Sequence, residues 1–245
     1  MTTNRNNLVG TADLFAASYT VFRNNLKTYV LLGLLVALPY TLLSFLGQYY
    51  FGSNFNIDEL KKDPNFVKLV VGYGVANLLA MVVTSLASLA TIYFTHKQVS
   101  ENYQTSLLNV LMTGFDKLLA FIWLSVLATA WMFGGFLLFI IPGVILMVRL
   151  SLWAYVLVVE ELRGLDALVR SRSLVKGYTT EAFVRWFAVY SATLVMIALN
   201  YYFGPSAPKT LAVLLGIVTV FVAPFTLVYG YFLYSNFVTL KVSNK

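Results

Sequence analysis

An all-α, polytopic membrane protein is the fold class the sequence predicts, and three observations predict it. Five stretches carry no charge for at least 23 residues each (28–57, 69–95, 118–148, 186–208 and 210–240), and about 20 apolar helical residues suffice to cross a bilayer's hydrocarbon core. Of the 245 side chains, 59% are apolar and only 11% charged, with a mean hydropathy of +0.77. A water-facing surface would need roughly 25% charged residues. Finally, the basic residues divide unevenly between the two sides of an even number of crossings.

The N-terminal segment has no apolar signal-peptide core, so the first long apolar stretch is expected to be retained as a span. Before it, Leu8, Ala12, Phe15, Tyr19, Phe22 and Leu26 recur at spacings of four and three, one face of an amphipathic helix over 8–26. Thr11 is the expected N-cap, and Asp13 suits the first turn. Such a helix lies in the headgroup plane and turns into the span that follows. The first span is expected at 28–50, closed by Tyr49, Tyr50 and Phe51, with the longest polar excursion from Phe51 to Phe66. The second is expected at 67–97.

The run from Leu118 to Glu160 decides the count. As one helix it would be about 64 Å long, twice the hydrocarbon thickness. Proline interrupts helical hydrogen bonding and glycine tolerates a turn, which makes Pro142-Gly143 the expected hairpin turn between spans at 117–140 and 143–161. Leu108, Leu111 and Phe115, with Thr105 or Ser106 as cap, form an amphipathic stretch before the first of these. Leu165, Leu168, Val169 and Val175 form a weaker one after the second, stopped by Gly177. The last two spans are expected at 182–203, closed by Tyr201, Tyr202 and Phe203, and at 210–238, bent at Pro224 and Gly230. Six spans therefore read as three hairpins, each preceded by an interfacial helix, in a pseudo-threefold internal repeat. Gly72, Gly74, Ala76, Gly134 and Gly135 read as close helix contacts, and Asn77 and Asn200 as interhelical hydrogen-bonding groups.

With six spans, one side collects Arg5, Arg23, Lys27, Lys97, Lys117, Arg149, Arg163, Arg170, Arg172, Lys176, Arg185, Lys241 and Lys245, 13 of the 17 basic residues. Lys61, Lys62, Lys68 and Lys209 fall opposite. The positive-inside rule then predicts a multi-pass plasma-membrane protein with both termini cytoplasmic. The net charge of +7 points to anionic lipid headgroups rather than nucleic acid, for which no basic groove with stacking aromatics is evident.

The richest segment runs from Ile141-Pro142-Gly143 through Arg149 and Glu160-Glu161 to Asp166-Ala167-Leu168, Arg170-Ser171-Arg172 and Leu174-Val175-Lys176-Gly177. It resembles the membrane domain attached to some bacterial glycerophosphodiester phosphodiesterases, and that family's stand-alone relatives of unknown function. There a Pro-Gly turn, an Arg-containing span, a terminal Glu and an Ala-Leu, Arg-Ser, Leu-Val-Lys-Gly connector follow in the same order. Glu161 and the Arg163-Gly164 linker depart from that pattern. The resemblance implies a prokaryotic membrane module and supplies no catalytic residue, because the phosphodiesterase chemistry belongs to a separate soluble domain.

Arg149 should lie about 9 Å along its span from the Pro-Gly turn. An intramembrane arginine wants a partner, water or an anion, so it contacts a lipid or substrate phosphate or else snorkels toward polar backbone. With Arg163, Arg170, Arg172 and Lys176 it makes the set of lipid- or anion-contact candidates. Glu160, Glu161 and Asp166 are the candidate structural ion-pair partners, with Asp166 and Arg170 spaced four apart. No cysteine and a single histidine, His96, leave no expected metal site or cofactor. Hydrolase and nucleotide-binding motifs are missing, so an enzyme is not expected. The expected function is a noncatalytic module that organises lipids or recruits a protein partner; a transporter or channel for a small anionic or lipid-like solute is the alternative. No carboxylate lies mid-span to couple transport to protons or sodium.

Overall fold

Helices account for every regular element among the residues that the computed structural model describes, which are 8–51, 66–101, 106–203 and 209–243. They are α1 (Thr11–Asn24), α2 (Leu26–Phe51), α3 (Phe66–Glu101), α4 (Leu107–Leu138), α5 (Ile140–Leu150), α6 (Leu165–Val175), α7 (Thr179–Phe203) and α8 (Lys209–Ser243). A single turn at Trp153–Tyr155 and a π-helical stretch at Val156–Glu160 continue α5. Five segments are long and apolar enough to cross a membrane: Leu26–Gly47, Phe66–Glu101, Leu107–Leu138, Ile140–Glu160 and Val213–Val242. The chain is compatible with a multi-pass membrane protein on that ground. The expected excursion at 52–65, the basic residues Arg5, Lys61, Lys62 and Lys245, and the alternative cap Thr105 lie outside the described residues. So do the side chains of Tyr49, Tyr50, Phe51, Asn200, Tyr201, Tyr202, Phe203 and Lys209.

Each long helix packs on its sequence neighbour, α5 packs on α7, and α8 closes the circle on α2. Lipid chains are as apolar as leucine, so close packing and hydrogen bonds, rather than apolar burial alone, hold such a ring together. Gly33 of α2 is in direct contact with the Val220 carbonyl of α8, where a Cβ has no room. Near the described termini the interior is dense: Tyr29, Leu32, Ile92, Leu157, Leu168, Tyr229 and Phe237 are fully buried. Polar links cross it, from the Tyr29 hydroxyl to Thr95 Oγ1 at 3.0 Å and from His96 Nδ1 to the Tyr231 hydroxyl at 3.1 Å.

Several local expectations are corrected. The break between α4 and α5 falls at Phe139 (φ −163°, ψ 156°), not at Pro142-Gly143. Pro142 sits in the first turn of α5, where an amide N–H has no intrahelical partner to lose. Gly143 is buried because the helices meet there: a Cβ on Gly135 would approach its Cα to 3.1 Å. The Leu108–Phe115 stretch is no separate interfacial helix but the start of α4, capped by Ser106, whose Oγ accepts from the Asn109 amide at 3.4 Å. Thr11 is the first residue of α1 and Gly10 its cap, with no side-chain hydrogen bond.

On α1 the buried face is Leu14, Ser18 and Phe22, so only Phe22 of the expected stripe is buried. Ala12, Tyr19 and, at the start of α2, Leu26 are exposed, and Phe15 is half exposed while its ring centre lies 4.9 Å from that of Phe225 on α8. The exposed residues of α1 mix apolar Ala12, Phe15, Ala16 and Tyr19 with Asp13, Thr20, Arg23 and Asn24, as suits the edge of a bilayer. Gly72, Gly74 and Gly134 have nothing within 4 Å of a Cβ, so of the expected glycine contacts Gly135 alone packs tightly. Asn77 donates to the Tyr73 carbonyl of its own helix at 2.8 Å rather than across helices. Helix α8 runs unbroken through Pro224, and Gly230 is a point of close approach to Tyr155 and Trp186.

Candidate functional site

The charged residues that stand out in the sequence gather where the segment after α5 meets α6. Here the backbone is interrupted at Ser151-Leu152, between α5 and the Trp153–Tyr155 turn. Ser171, fully buried on α6, repairs the gap: its Oγ donates to the Arg149 carbonyl at 3.0 Å and accepts from the Leu152 amide at 3.2 Å. Without this hydroxyl, a carbonyl and an amide would be orphaned in an apolar interior. α6 is thus fastened across the break, with Ala167, Leu168, Leu174 and Val175 also turned inward. Leu165 and Val169, two of the positions expected on its apolar face, point outward instead.

Glu160 ends the π-helical stretch and accepts twice, from Arg170 Nε at 2.7 Å and from the Tyr234 hydroxyl at 2.8 Å. This pair joins the end of the segment to α6 and α8. Asp166, one turn before Arg170, is exposed and makes no pair with it, which replaces the expected i,i+4 bridge. Arg170 lies in reach of a less exposed, twice-bonded carboxylate, and a charged group gains more there than at an open helix surface.

Glu161 turns the other way. Its backbone is left-handed (φ 57°, ψ 17°), which stops the helix, and its carboxylate accepts from Lys117 Nζ at 2.8 Å. That lysine, 13% exposed, also donates to the Val158 carbonyl at 3.1 Å. With Gly135 against Gly143 at one end and Lys117 against Glu161 at the other, α4 and the Ile140–Glu160 segment run antiparallel along their length. The hydrogen bond and charge of Lys117 hold the Glu161 carboxyl below its ordinary value, with a smaller push from Arg163.

Gly164 (φ 59°) and Gly177 (φ 93°) take up left-handed backbone at the two ends of α6. Beyond Gly177, Lys241 at the end of α8 donates to the Lys176 carbonyl at 3.0 Å, and its ammonium lies 5.7 Å from the Tyr178 ring centre. Arg149 Nε donates to Thr179 Oγ1 at 3.2 Å, and Arg149 has no carboxylate partner among the described residues. Arg163, Arg172 and Lys176 are exposed. The structure therefore joins Glu160 to Arg170 and ties Arg149 to the connector, while Arg163, Arg172, Lys176 and Asp166 stand at the surface.

Lys117, Tyr234, Ser171 and Thr179 belong to this arrangement and were not expected in it. Lys117 had one legible signal, a lone cation at the edge of a 31-residue uncharged run. What the cluster offers chemically is two carboxylates matched by cations, beside surface cations with no ion pair among the described residues. Comparison with known proteins finds nothing similar: no family model, no curated protein and no solved structure matches the chain.

Proposed function

We propose that this chain is a noncatalytic module of the cytoplasmic membrane that gathers anionic lipid, with α6 as its contact element. One observation carries the reading. Glu160 and Glu161 are matched by Arg170 and Lys117, whereas Arg163, Arg172 on α6 and Lys176 just past its end are exposed with no ion pair among the described residues, three cations against Asp166, the connector's one acid outside those pairs. A helix fastened by its apolar side, with cations on its free side, attracts anionic headgroups by roughly 1 kcal/mol per well-placed cation.

In this reading α7 is the sixth crossing, the spans pair as three hairpins in a threefold repeat, and both termini lie on the inner face. The chain is then a prokaryotic, stand-alone relative of the membrane domain found on glycerophosphodiester phosphodiesterases. In support, the residues carrying that resemblance form one interlocked unit: Gly143 on Gly135, the Arg149 carbonyl on Ser171, Glu160 on Arg170, and Gly177 in left-handed backbone. The test uses spin-labelled phosphatidylglycerol and phosphatidylcholine in reconstituted vesicles. In the triple variant Arg163→Gln, Arg172→Gln, Lys176→Gln, the preference of the boundary lipid for phosphatidylglycerol falls. An unchanged preference would remove the connector as a lipid contact.

A further inference from the structure

Between α4, α5 and α7 lies a groove of about 400 Å3, walled by Met132, Met147, Trp153, Phe183, Trp186 and Tyr190 among others. This volume falls within the range of small-molecule sites. On α7 its wall is one stripe, Phe183, Phe187, Tyr190 and Leu194 at spacings of four, three and four. The stripe extends about 16 Å along the helix, close to the depth of one leaflet's hydrocarbon. Phe183, Phe187 and Leu194 remain 39%, 55% and 51% exposed, so the groove opens sideways into the surroundings of the bundle.

One turn before Phe183 the same stripe reaches Thr179, and Thr179 holds Arg149. Val148 and Ser151, on either side of Arg149, also line the groove. An arginine with no carboxylate partner among the described residues therefore stands at the head of an apolar channel. Trp186, 6% exposed, is part of the wall. A half-buried guanidinium with no carboxylate partner among the described residues suits an anion, and the aromatic and thioether wall suits an apolar body.

We propose that this groove is a built site for one anionic phospholipid, its phosphate on Arg149 and an acyl chain along the α7 stripe. The proposal rests on the membrane-module reading but not on the connector cations, because it uses a different side chain and a different surface. Phosphate suits the guanidinium, whose fork bonds two of its oxygens while Nε keeps Thr179. The lateral opening suits a molecule that arrives within the bilayer.

Two of the four tryptophans, Trp153 and Trp186, line the groove, so they report its occupant once Trp123 and Trp131 are replaced by phenylalanine. The protein is reconstituted in phosphatidylcholine vesicles containing either phosphatidylglycerol or phosphatidylcholine with brominated acyl chains. Brominated phosphatidylglycerol is expected to quench at about fivefold lower mole fraction, the preference one cation contributes. With Arg149→Gln the two quenching curves should coincide, and with Arg149→Lys the preference should persist. In the Arg163→Gln, Arg172→Gln, Lys176→Gln variant it should also persist, whether or not boundary selectivity survives.

Coincident curves with Arg149 in place would overturn the proposal, a comparison that stands even if Arg149→Gln does not reconstitute. A preference retained in Arg149→Gln would overturn it as well, as would its loss in the connector variant. Release of the quench by inorganic phosphate would assign Arg149 to a free oxyanion and refute the lipid site.

Discussion

The two ends of this helical bundle pack in opposite ways. Near the described termini, Tyr29, Tyr229 and Phe237 are wholly buried, and hydrogen bonds from Tyr29, His96 and Tyr234 cross between helices. At the far end, Val67, Leu78 and Ile140 are 68%, 64% and 75% exposed, along with most of their neighbours on α3, α4, α5 and α8. What separates the two ends is the supply of polar groups with partners across the interface. The first end is specified by the protein, and the second presents apolar side chains to whatever surrounds it, which suits lipid.

The sharpest way to break this contrast is a pair of glycine substitutions. Gly33→Ala places a methyl group against the backbone carbonyl of Val220, which cannot swing aside as a side chain would. About 3 kcal/mol of stability should be lost, or the protein should fail to accumulate. Gly72→Ala at the far end meets nothing within 4 Å and should gain about 0.5–1 kcal/mol from helix propensity. Thermal unfolding in one detergent checks both. If the two variants shifted alike, the two ends would not differ in packing as described.

A somewhat smaller effect belongs to Ser171, which joins the two sides of the Ser151-Leu152 break. Ser171→Ala strands the Leu152 amide and the Arg149 carbonyl and should destabilise by about 2 kcal/mol. Ser173→Ala, two residues on, removes only a bond to the carbonyl of Arg170 in its own exposed turn and should change little. Equal loss in both variants would mean that the Ser171 bridge does not hold the break together.

How far the sequence reached follows from the range of each signal. Uncharged runs and their flanking charges act locally, so the positions of the long helices were legible to within a few residues, apart from the start of α4. The Pro142-Gly143 pair misled because proline in a helix's first turn and proline in a loop look alike in sequence; Phe139, where the backbone becomes extended, carries no turn signal. The Leu108–Phe115 periodicity is real, yet it is shared by a separate helix and by the first turns of a longer one. On α1 Leu14 is buried while Phe15 keeps half its surface exposed against Phe225 of α8, a difference that depends on how α1 is laid on its neighbours. At the candidate site, Arg149 and Glu160 stood out as charges within or at the end of an apolar span, and Arg170 as part of a charged connector. Their partners did not, because Tyr234 is 74 residues from Glu160 and Lys117 is 44 from Glu161, and one sequence shows no such pairing.

Lys117 and Glu161 supply the finest test of the ordered end, through pH. The Lys117 hydrogen bond and charge depress the folded-state pKa of Glu161 below the ordinary carboxylate value of 4.5. A depressed carboxylate stabilises the fold fully above its unfolded pKa, and the contribution disappears as pH falls through the folded value. Glu161→Gln keeps the side chain's shape and removes its charge. The melting temperature of the unsubstituted protein should exceed that of Glu161→Gln by a constant margin above about pH 5, and the margin should close only below the ordinary carboxylate value. Glu161's side chain is 75% exposed, so solvent screens the pair and the margin is small, the least of the effects described. A margin that widened on acidification would reverse the sign and deny that Lys117 stabilises the charged form.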